Sequence, residues 1–354
     1  MDDHRPRTVP ANVLAAYGLE GAQVDALSSL INSTFRVTAA DGARAIVQRL
    51  HPIFDAEVNL DIEAITARLE ERGLVTPRLL RTRDDALWVR REDGVWRAQS
   101  FIAGRTLHAV HSPGQARAAG EAVARFHGAL DGFEHDFAFT RSGVHDTRAH
   151  LEALEAALSV QDATPEVRAL AERIVADGRA LPLAELAAQP KRLCHGDLKI
   201  SNLRFAPDGS DRVVCLIDLD TLAYQSLAYE LGDALRSWCN PFAEDSAQVA
   251  LDGAVFGAAL GGYVAAAAPS ITPAELASCV AGFAAVALEL ASRFCRDVLE
   301  DRYFGWDPER FASRGEHNLA RARSQRALSR LVADGEPELA AIVEETLAFA
   351  GRAI

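Results

Sequence analysis

The part of this chain that most constrains its fold is His195-Gly196-Asp197-Leu198-Lys199-Ile200-Ser201-Asn202, with the apolar run Val213-Val214-Cys215-Leu216-Ile217 ending in Asp218 shortly after it. An Asp, an Asn five residues later and a second Asp at the end of the next apolar run describe a polar loop between short strands. They are also the groups that phosphoryl transfer needs. One carboxylate meets an acceptor hydroxyl, and an amide oxygen and a second carboxylate hold Mg²⁺ on the phosphates.

Each residue also has a plainer reading. Asp197 alone would be a turn aspartate bonding nearby backbone N–H groups, Asn202 could close a loop, and Lys199 could be an ordinary exposed lysine. The joint pattern favours chemistry. In it Asp197 orients the hydroxyl and accepts its proton, and Lys199 neutralises charge on the transferring group. Asn202 and Asp218 are the candidate metal ligands. A hard cation takes oxygen ligands, and a carboxylate ending an apolar strand is costly to bury unless paired or metal-bound. Asp220 is open between capping the following segment, holding the loop and helping at a second metal. His195 reads as a support of the loop. Asp233 reads either as a helix-start acid or as a tie from its helix to the loop.

With 354 residues, 49% of them hydrophobic, the chain is long enough for two lobes. Apolar runs at 30–37 and 45–50 flank Asp41-Gly42, a hairpin signal. Leu60, Ile62, Ile65 and Leu69 mark a helix closed by Gly73 and Pro77. Further strands are expected at 78–81, 87–90 and 95–102. Beyond Gly104 the pattern turns helical, with helices expected over 113–130, 147–158, 165–180, 228–237, 245–267, 273–300 and 312–333. The expectation is an α+β chain, with a five-stranded, nucleotide-binding lobe over 1–103 and a larger helical lobe over 104–354 carrying the loop and an acceptor pocket.

A net charge of −13 and a pI near 5.3 oppose nucleic acid or anionic membrane as partners, so neither is expected. The apolar stretch 276–291 reads as too short to span a bilayer and as a buried core helix. Five scattered cysteines without zinc or C-x-x-C spacing read as reduced thiols of a cytoplasmic protein. Met1 to Pro6 show no signal-peptide pattern. There is no Walker A motif and no G-x-G-x-x-G. Asn32-Ser33-Thr34 could offer N–H groups and hydroxyls to a phosphate, or form a plain polar turn. Glu289, Arg293 and Asp297 recur every four residues on one helix face, either as surface ion pairs or as one wall of a pocket for a polyhydroxy acceptor. His145 and Asp146 are further acceptor candidates.

These segments resemble the aminoglycoside phosphotransferase and choline kinase-like family, and within it the bacterial N-acetylhexosamine 1-kinases. The likeness is carried by Ile31-Asn32-Ser33-Thr34-Phe35, Val47-Gln48-Arg49-Leu50, Phe101-Ile102, His145-Asp146-Thr147 and the loop. It continues through Ile217-Asp218-Leu219-Asp220-Thr221, Gly232-Asp233-Ala234-Leu235-Arg236, residues 289–294 and His317-Asn318-Leu319-Ala320-Arg321-Ala322-Arg323. The resemblance implies a bilobal protein-kinase-like fold, ATP and Mg²⁺, and phosphorylation of an amino sugar at its anomeric hydroxyl. It makes Asp197 the base, Asn202 and Asp218 the metal ligands, and Arg293 an acceptor-binding residue. Lobes of this kind carry a lysine on the third strand. Arg49 stands there, with Glu63 as its candidate partner, and Gln99, Phe101 and Ile102 would lie beside the adenine. The resembled kinases have Asn at the position of Gly196 and Thr at that of Leu198, so the loop is nearer the general form. Homoserine, choline, methylthioribose or an aminoglycoside therefore stay open as acceptors, as does a non-catalytic nucleotide-binding module.

Overall fold

The computed structural model describes residues 6–28, 31–349 and 351, so residues 1–5 and Leu30, the first residue of one expected strand, lie outside it. The described residues form two compact units. The first holds the chain up to Gly104 together with Gly132–Arg141 and Ile217–Leu222, and the second holds Arg105–Asp131, Ser142–Leu216 and the chain from Ala223 onward. The expected division was contiguous; the compact units are not, because two later segments pack into the first.

In the first unit, β1 (Gln23–Leu27), β2 (Ser33–Thr38), β3 (Arg44–Arg49), β4 (Trp88–Arg91) and β5 (Gly94–Ser100) accompany the helices α1 (Ala11–Ala16) and α2 (Val58–Glu71). The strands form one antiparallel sheet in the order β1-β2-β3-β5-β4. Side chains alternate across a strand. Phe35, Val37, Val47, Trp96 and Ala98 thus build a core on one face with Val9 and Val13. Thr34, Gln48 and Arg97 are lateral neighbours in the register. The sheet has five strands, as expected, but not the expected five. Residues 78–81 form only an isolated bridge, Leu79 to Gln99. The fifth strand is β1, whose mostly exposed residues give little alternating signal. Asp61 of α2 accepts N–H bonds from Ala138 (2.8 Å) and Phe139 (3.0 Å) and contacts His135 Nε2 (2.8 Å), which fastens segment 132–141 to the helix.

The second unit begins with β6 (Arg105–Thr106) and the helices α3 (Pro113–Leu130), α4 (Thr147–Val160), α5 (Pro165–Arg179) and α6 (Leu183–Ala188). The strands β7 (Lys191–Cys194), β8 (Leu203–Phe205), β9 (Val213–Leu216) and β10 (Ala223–Ser226) follow. It closes with α7 (Leu227–Trp238), α8 (Gly253–Ala266), α9 (Pro273–Ala277), α10 (Cys279–Glu300), α11 (Arg314–Asp334) and α12 (Glu336–Phe349). The strands make two small sheets, β6-β8-β9 and β10-β7. The expected helix over 273–300 breaks at Ser278, whose hydroxyl donates to the Glu275 carbonyl. The expected helix over 245–267 starts only where Asp252 caps α8. Taken together, Pro273–Glu300 is long and apolar enough to cross a membrane, although the apolar stretch 276–291 reads as too short, and its apolar window is 72% buried inside the structure. Its α10 portion is the core helix, packed against α4, α5, α7 and α11. At the α7/α10 crossing, Gly232 and Gly282 meet so closely that a Cβ on Gly282 would strike the Ala228 carbonyl.

Candidate active site

In the second unit, the chain leaves β7 into residues 195–199 and then makes a 3₁₀ turn over Ile200–Asn202. Gly196 takes a left-handed φ of 77°, which a Cβ would resist. One face of α7 holds this loop by its backbone. The Glu230 carboxylate accepts the N–H groups of His195 (2.8 Å) and Gly196 (2.9 Å), and Asp233 accepts that of Leu198 (2.6 Å). Ser237 Oγ accepts that of Ile200 (3.0 Å), and Trp238 Nε1 donates to the Leu198 carbonyl (2.9 Å). Behind Glu230, His127 Nε2 lies at 3.2 Å and its Nδ1 at 2.7 Å from the Tyr263 hydroxyl. Burial alone would raise the Glu230 carboxyl. The His127 hydrogen bond and the Gly196 N–H help to hold it below the usual carboxylate range.

On the loop, Lys199 Nζ lies 2.6 Å from Asp197 Oδ2, and Asn202 Nδ2 donates to the same oxygen (3.0 Å) and to the Asp197 carbonyl (2.9 Å). Burial pushes the Asp197 carboxyl up, but the Lys199 ammonium, aided by the Arg236 guanidinium, brings it below the usual range. His195 is fully buried, and its Nδ1 accepts the Asp197 N–H (3.3 Å). The structure thus brings together Asp197, Lys199, Asn202, His195 and Asp233. It adds Glu230, which the sequence reading passed over. The available signal was a polar stripe, Glu230-Asp233-Ser237, at helical spacing on a mostly apolar helix.

A second cluster in this unit surrounds Glu289, which is buried in α10. Its carboxylate accepts from Thr147 Oγ1 (3.0 Å) and faces His145 Nδ1 (4.0 Å), His150 Nε2 (3.8 Å) and Arg293 Nη1 (3.7 Å). The Arg293 guanidinium lies over the rings of Tyr303 and Phe304 at 5.9 and 5.6 Å. His145 has a left-handed φ of 54° and stacks on Tyr229. Its two ring nitrogens are buried without a hydrogen-bond partner among the described residues. Burial lowers the His150 pKa despite nearby Glu289, so that ring is neutral at pH 7.

Two expected members spend hydrogen bonds on backbone N–H groups at helix ends. Asp297 accepts the N–H groups of Arg302 (3.1 Å), Tyr303 (2.8 Å) and Phe304 (2.9 Å) and a bond from Asn318 Nδ2 (2.9 Å), so it shapes the turn that carries the two rings. Asp146 caps α4 through the Ala149 N–H (3.1 Å). The donors at the helix ends were invisible to an i, i+4 count.

The first unit changes several expectations about its polar residues. Arg49 falls on the same side of β3 as buried Val47, where a Cβ on Gly94 would meet its Nε. Glu63 pairs instead with Arg78 (3.4 Å) and Arg81 (3.3 Å), so no Arg49–Glu63 pair forms. Strand alternation is the reason, since it turns Gln48 to the polar face. The cation there is Arg97, which no sequence argument had singled out. Asn32 is buried, with both ends of its side-chain amide bonded inside the unit. Its Nδ2 donates to Asp220 Oδ2 (2.7 Å) and its Oδ1 accepts the His51 N–H (2.9 Å). Ser33 opens β2, and Thr34 Oγ1 accepts from Gln48 Nε2 (3.2 Å). Gln99 Nε2 donates to Gln48 Oε1 (3.1 Å), the Phe101 ring lies under the Arg44 guanidinium, and Ile102 is half-buried just past β5. Asp218 has a left-handed φ of 67°, a conformation that costs a non-glycine residue about 1–3 kcal/mol and clusters at functional sites.

A family model described as "Phosphotransferase enzyme family" matches residues 24–268. Among solved structures, a microcompartment-associated aminopropanol kinase superposes with a TM-score of 0.67 at 16% identity, over 92% of this chain and 97% of its own. An amicoumacin kinase bound to AMP-PNP, Ca²⁺ and its antibiotic gives 0.61 at 15% identity, over 86% and 87%. A choline/ethanolamine kinase family protein from Mesorhizobium loti gives 0.56 at 18% identity, over 94% and 97%. At these identities the likeness establishes the fold, the bilobal kinase-like α+β architecture.

Proposed function

Since this chain belongs to the phosphotransferase enzyme family, and is a phosphotransferase with a hydroxyl acceptor, we propose that it is an ATP- and Mg²⁺-dependent kinase for an amino sugar, acting on the anomeric hydroxyl of an N-acetylhexosamine. The observation that carries the kinase reading is the loop, with Asp197, Lys199 and Asn202 bonded to one another and the backbone fixed by α7.

Asp197 is the base. Its carboxyl is held low, so it is ionised at neutral pH and able to orient and then accept the acceptor proton. Lys199 is the cation beside that base and would counter charge on the phosphoryl group as it moves. Asn202 and Asp218 are the residues that would hold the metal. Each carries a suitable oxygen donor by itself: the Asn202 amide nitrogen is used on Asp197, leaving its oxygen to offer, and Asp218 has a carboxylate. When bound, Mg²⁺ supplies charge neutralisation on the nucleotide phosphates.

The Glu289 cluster is the proposed acceptor pocket. One buried carboxylate, a neutral imidazole at His150, the His145 ring, whose nitrogens have no hydrogen-bond partner among the described residues, and the Arg293 guanidinium offer both donors and acceptors to a hydroxyl-rich molecule. A cationic amino alcohol fits less well, because Arg293 already stands beside Glu289. The test is ADP release from MgATP against N-acetylglucosamine, N-acetylgalactosamine, N-acetylmuramate, glucosamine, homoserine, choline and kanamycin. Turnover with an amino sugar, giving a 1-phosphate, is expected. Turnover only with choline or homoserine would discard the sugar while keeping the kinase.

A further inference from the structure

Arg97, in the first unit, is 1% exposed. Its Nε and Nη2 donate to Gln48 Oε1 at 2.9 and 2.7 Å. Its Nη1 donates to Asp220 Oδ1 (2.6 Å) and Asn59 Oδ1 (3.3 Å), and Nη2 also to Asp220 Oδ2 (2.9 Å). Asp220, 3% exposed, takes a further bond from Asn32. The guanidinium therefore grips both oxygens of one carboxylate, a geometry that fixes position and direction together.

Two explanations compete for so costly an arrangement. Arg97 could contact nucleotide phosphate directly, as a strand cation would. Its N–H groups are already directed at protein acceptors and its surface is closed, which argues against this. Stability alone is also a poor explanation, because a buried ion pair can often be replaced by apolar residues without loss. What the pair does accomplish is local. Asp220 lies two residues beyond Asp218, with buried Leu219 between them. Asp218 sits in a left-handed backbone conformation that persists only where its surroundings impose it. Bidentate capture of Asp220 fixes the chain on one side of that residue.

We infer that Arg97 is a positioning residue: through Asp220 it holds Asp218 in the orientation that binds a divalent cation with its nucleotide. The inference rests on the proposed role of Asp218 as a metal ligand. It assigns Asp220 to the sheet rather than to a second metal.

The experiment measures Mn²⁺ binding by electron paramagnetic resonance in the presence of AMP-PNP, on the full chain, so the readout does not depend on turnover. Wild type, Asp218→Asn, Arg97→Lys and the double variant Arg97→Met/Asp220→Leu are compared, with thermal melts as the check on folding. The expected result is a Kd for Mn²⁺ raised at least tenfold in the folded double variant and several-fold in Arg97→Lys, which keeps the charge but loses the fork. The acceptor KM of Arg97→Lys should stay within twofold of wild type. A folded double variant with the wild-type Kd overturns the inference. If the double variant does not fold, an unchanged Kd in Arg97→Lys overturns it equally. Should Asp218→Asn itself bind Mn²⁺ normally, the metal reading of Asp218 fails and the inference falls with it. Loss in Asp218→Asn with no change in the Arg97 variants would sink the inference alone.

Discussion

Two of the buried polar networks, the one under the loop of the second unit and the one around Arg97 in the first, are built in opposite ways. Beneath the loop of the second unit, the side chains of α7 take backbone N–H groups, so the network fixes the path of the chain whatever the loop side chains are. In the first unit the bonds run from side chain to side chain and converge on one guanidinium. The contrast teaches where each is fragile. A backbone-directed network survives loss of one acceptor in a weakened form, because its neighbours still hold the loop. A network centred on a single fork fails as a whole.

The largest expected effect tests the residue that the first network presents. Asp197→Asn should lower kcat by roughly 10²- to 10⁴-fold, with AMP-PNP binding retained. Turnover at the wild-type rate would end the mechanism. Next comes the network itself. Glu230→Ala leaves the His195 and Gly196 N–H groups and the His127 ring without their acceptor in a buried space, and should cost about 3 kcal/mol in denaturant unfolding. Glu230→Gln keeps one acceptor oxygen and should cost about half as much. Equal losses in the two variants would show that the charge, and not the backbone acceptor, is what matters, and would erase the contrast between the networks.

That contrast also decides what could be read from the sequence. Asp197, Asn202 and Asp233 were legible because the loop is local and its partners recur at fixed offsets. Helix α3 spans the 113–130 expected for it, and Ser112 caps its start through the Gln115 N–H. The Arg97 network was not legible. Its partners lie 49, 123 and 188 residues apart along the chain, and nothing in a local pattern distinguishes Arg97 from Arg49. Only the strand register, which turns Gln48 and Arg97 to one face, separates them. The Glu289 cluster was half legible for the same reason. The i, i+4 spacing found Glu289 and Arg293, but the turn after α10 claimed Asp297.

The backbone-directed network depends on α7 keeping its place, and a smaller effect probes that. Gly282→Ala drives a methyl into the Ala228 carbonyl of α7 and should cost about 1–3 kcal/mol. Gly128→Ala, also in a helix but facing open space, should be neutral or stabilising by up to about 1 kcal/mol. Similar melting temperatures for the two variants would mean that α7 can move aside freely.

The smallest effect is a shift in pH dependence, and it isolates Lys199 from the rest of the loop. Burial raises the Asp197 carboxyl and Lys199 is the largest influence bringing it down. Lys199→Met removes that influence without touching the α7 bonds, so the folded-state pKa of Asp197 must rise. The base is active when ionised, and the acid limb of kcat/KM should therefore move to higher pH. Stability gives an independent reading. A carboxyl depressed in the folded state stabilises the protein above its unfolded pKa, and that contribution disappears as pH falls through the folded pKa. The gap in melting temperature between wild type and Lys199→Met should thus be full near neutrality and close on the acid side, below the ordinary aspartate value of about 3.8. An acid limb that stays in place, with the gap constant down to low pH, would mean that Lys199 does not set the protonation of Asp197 and acts on the phosphoryl group alone.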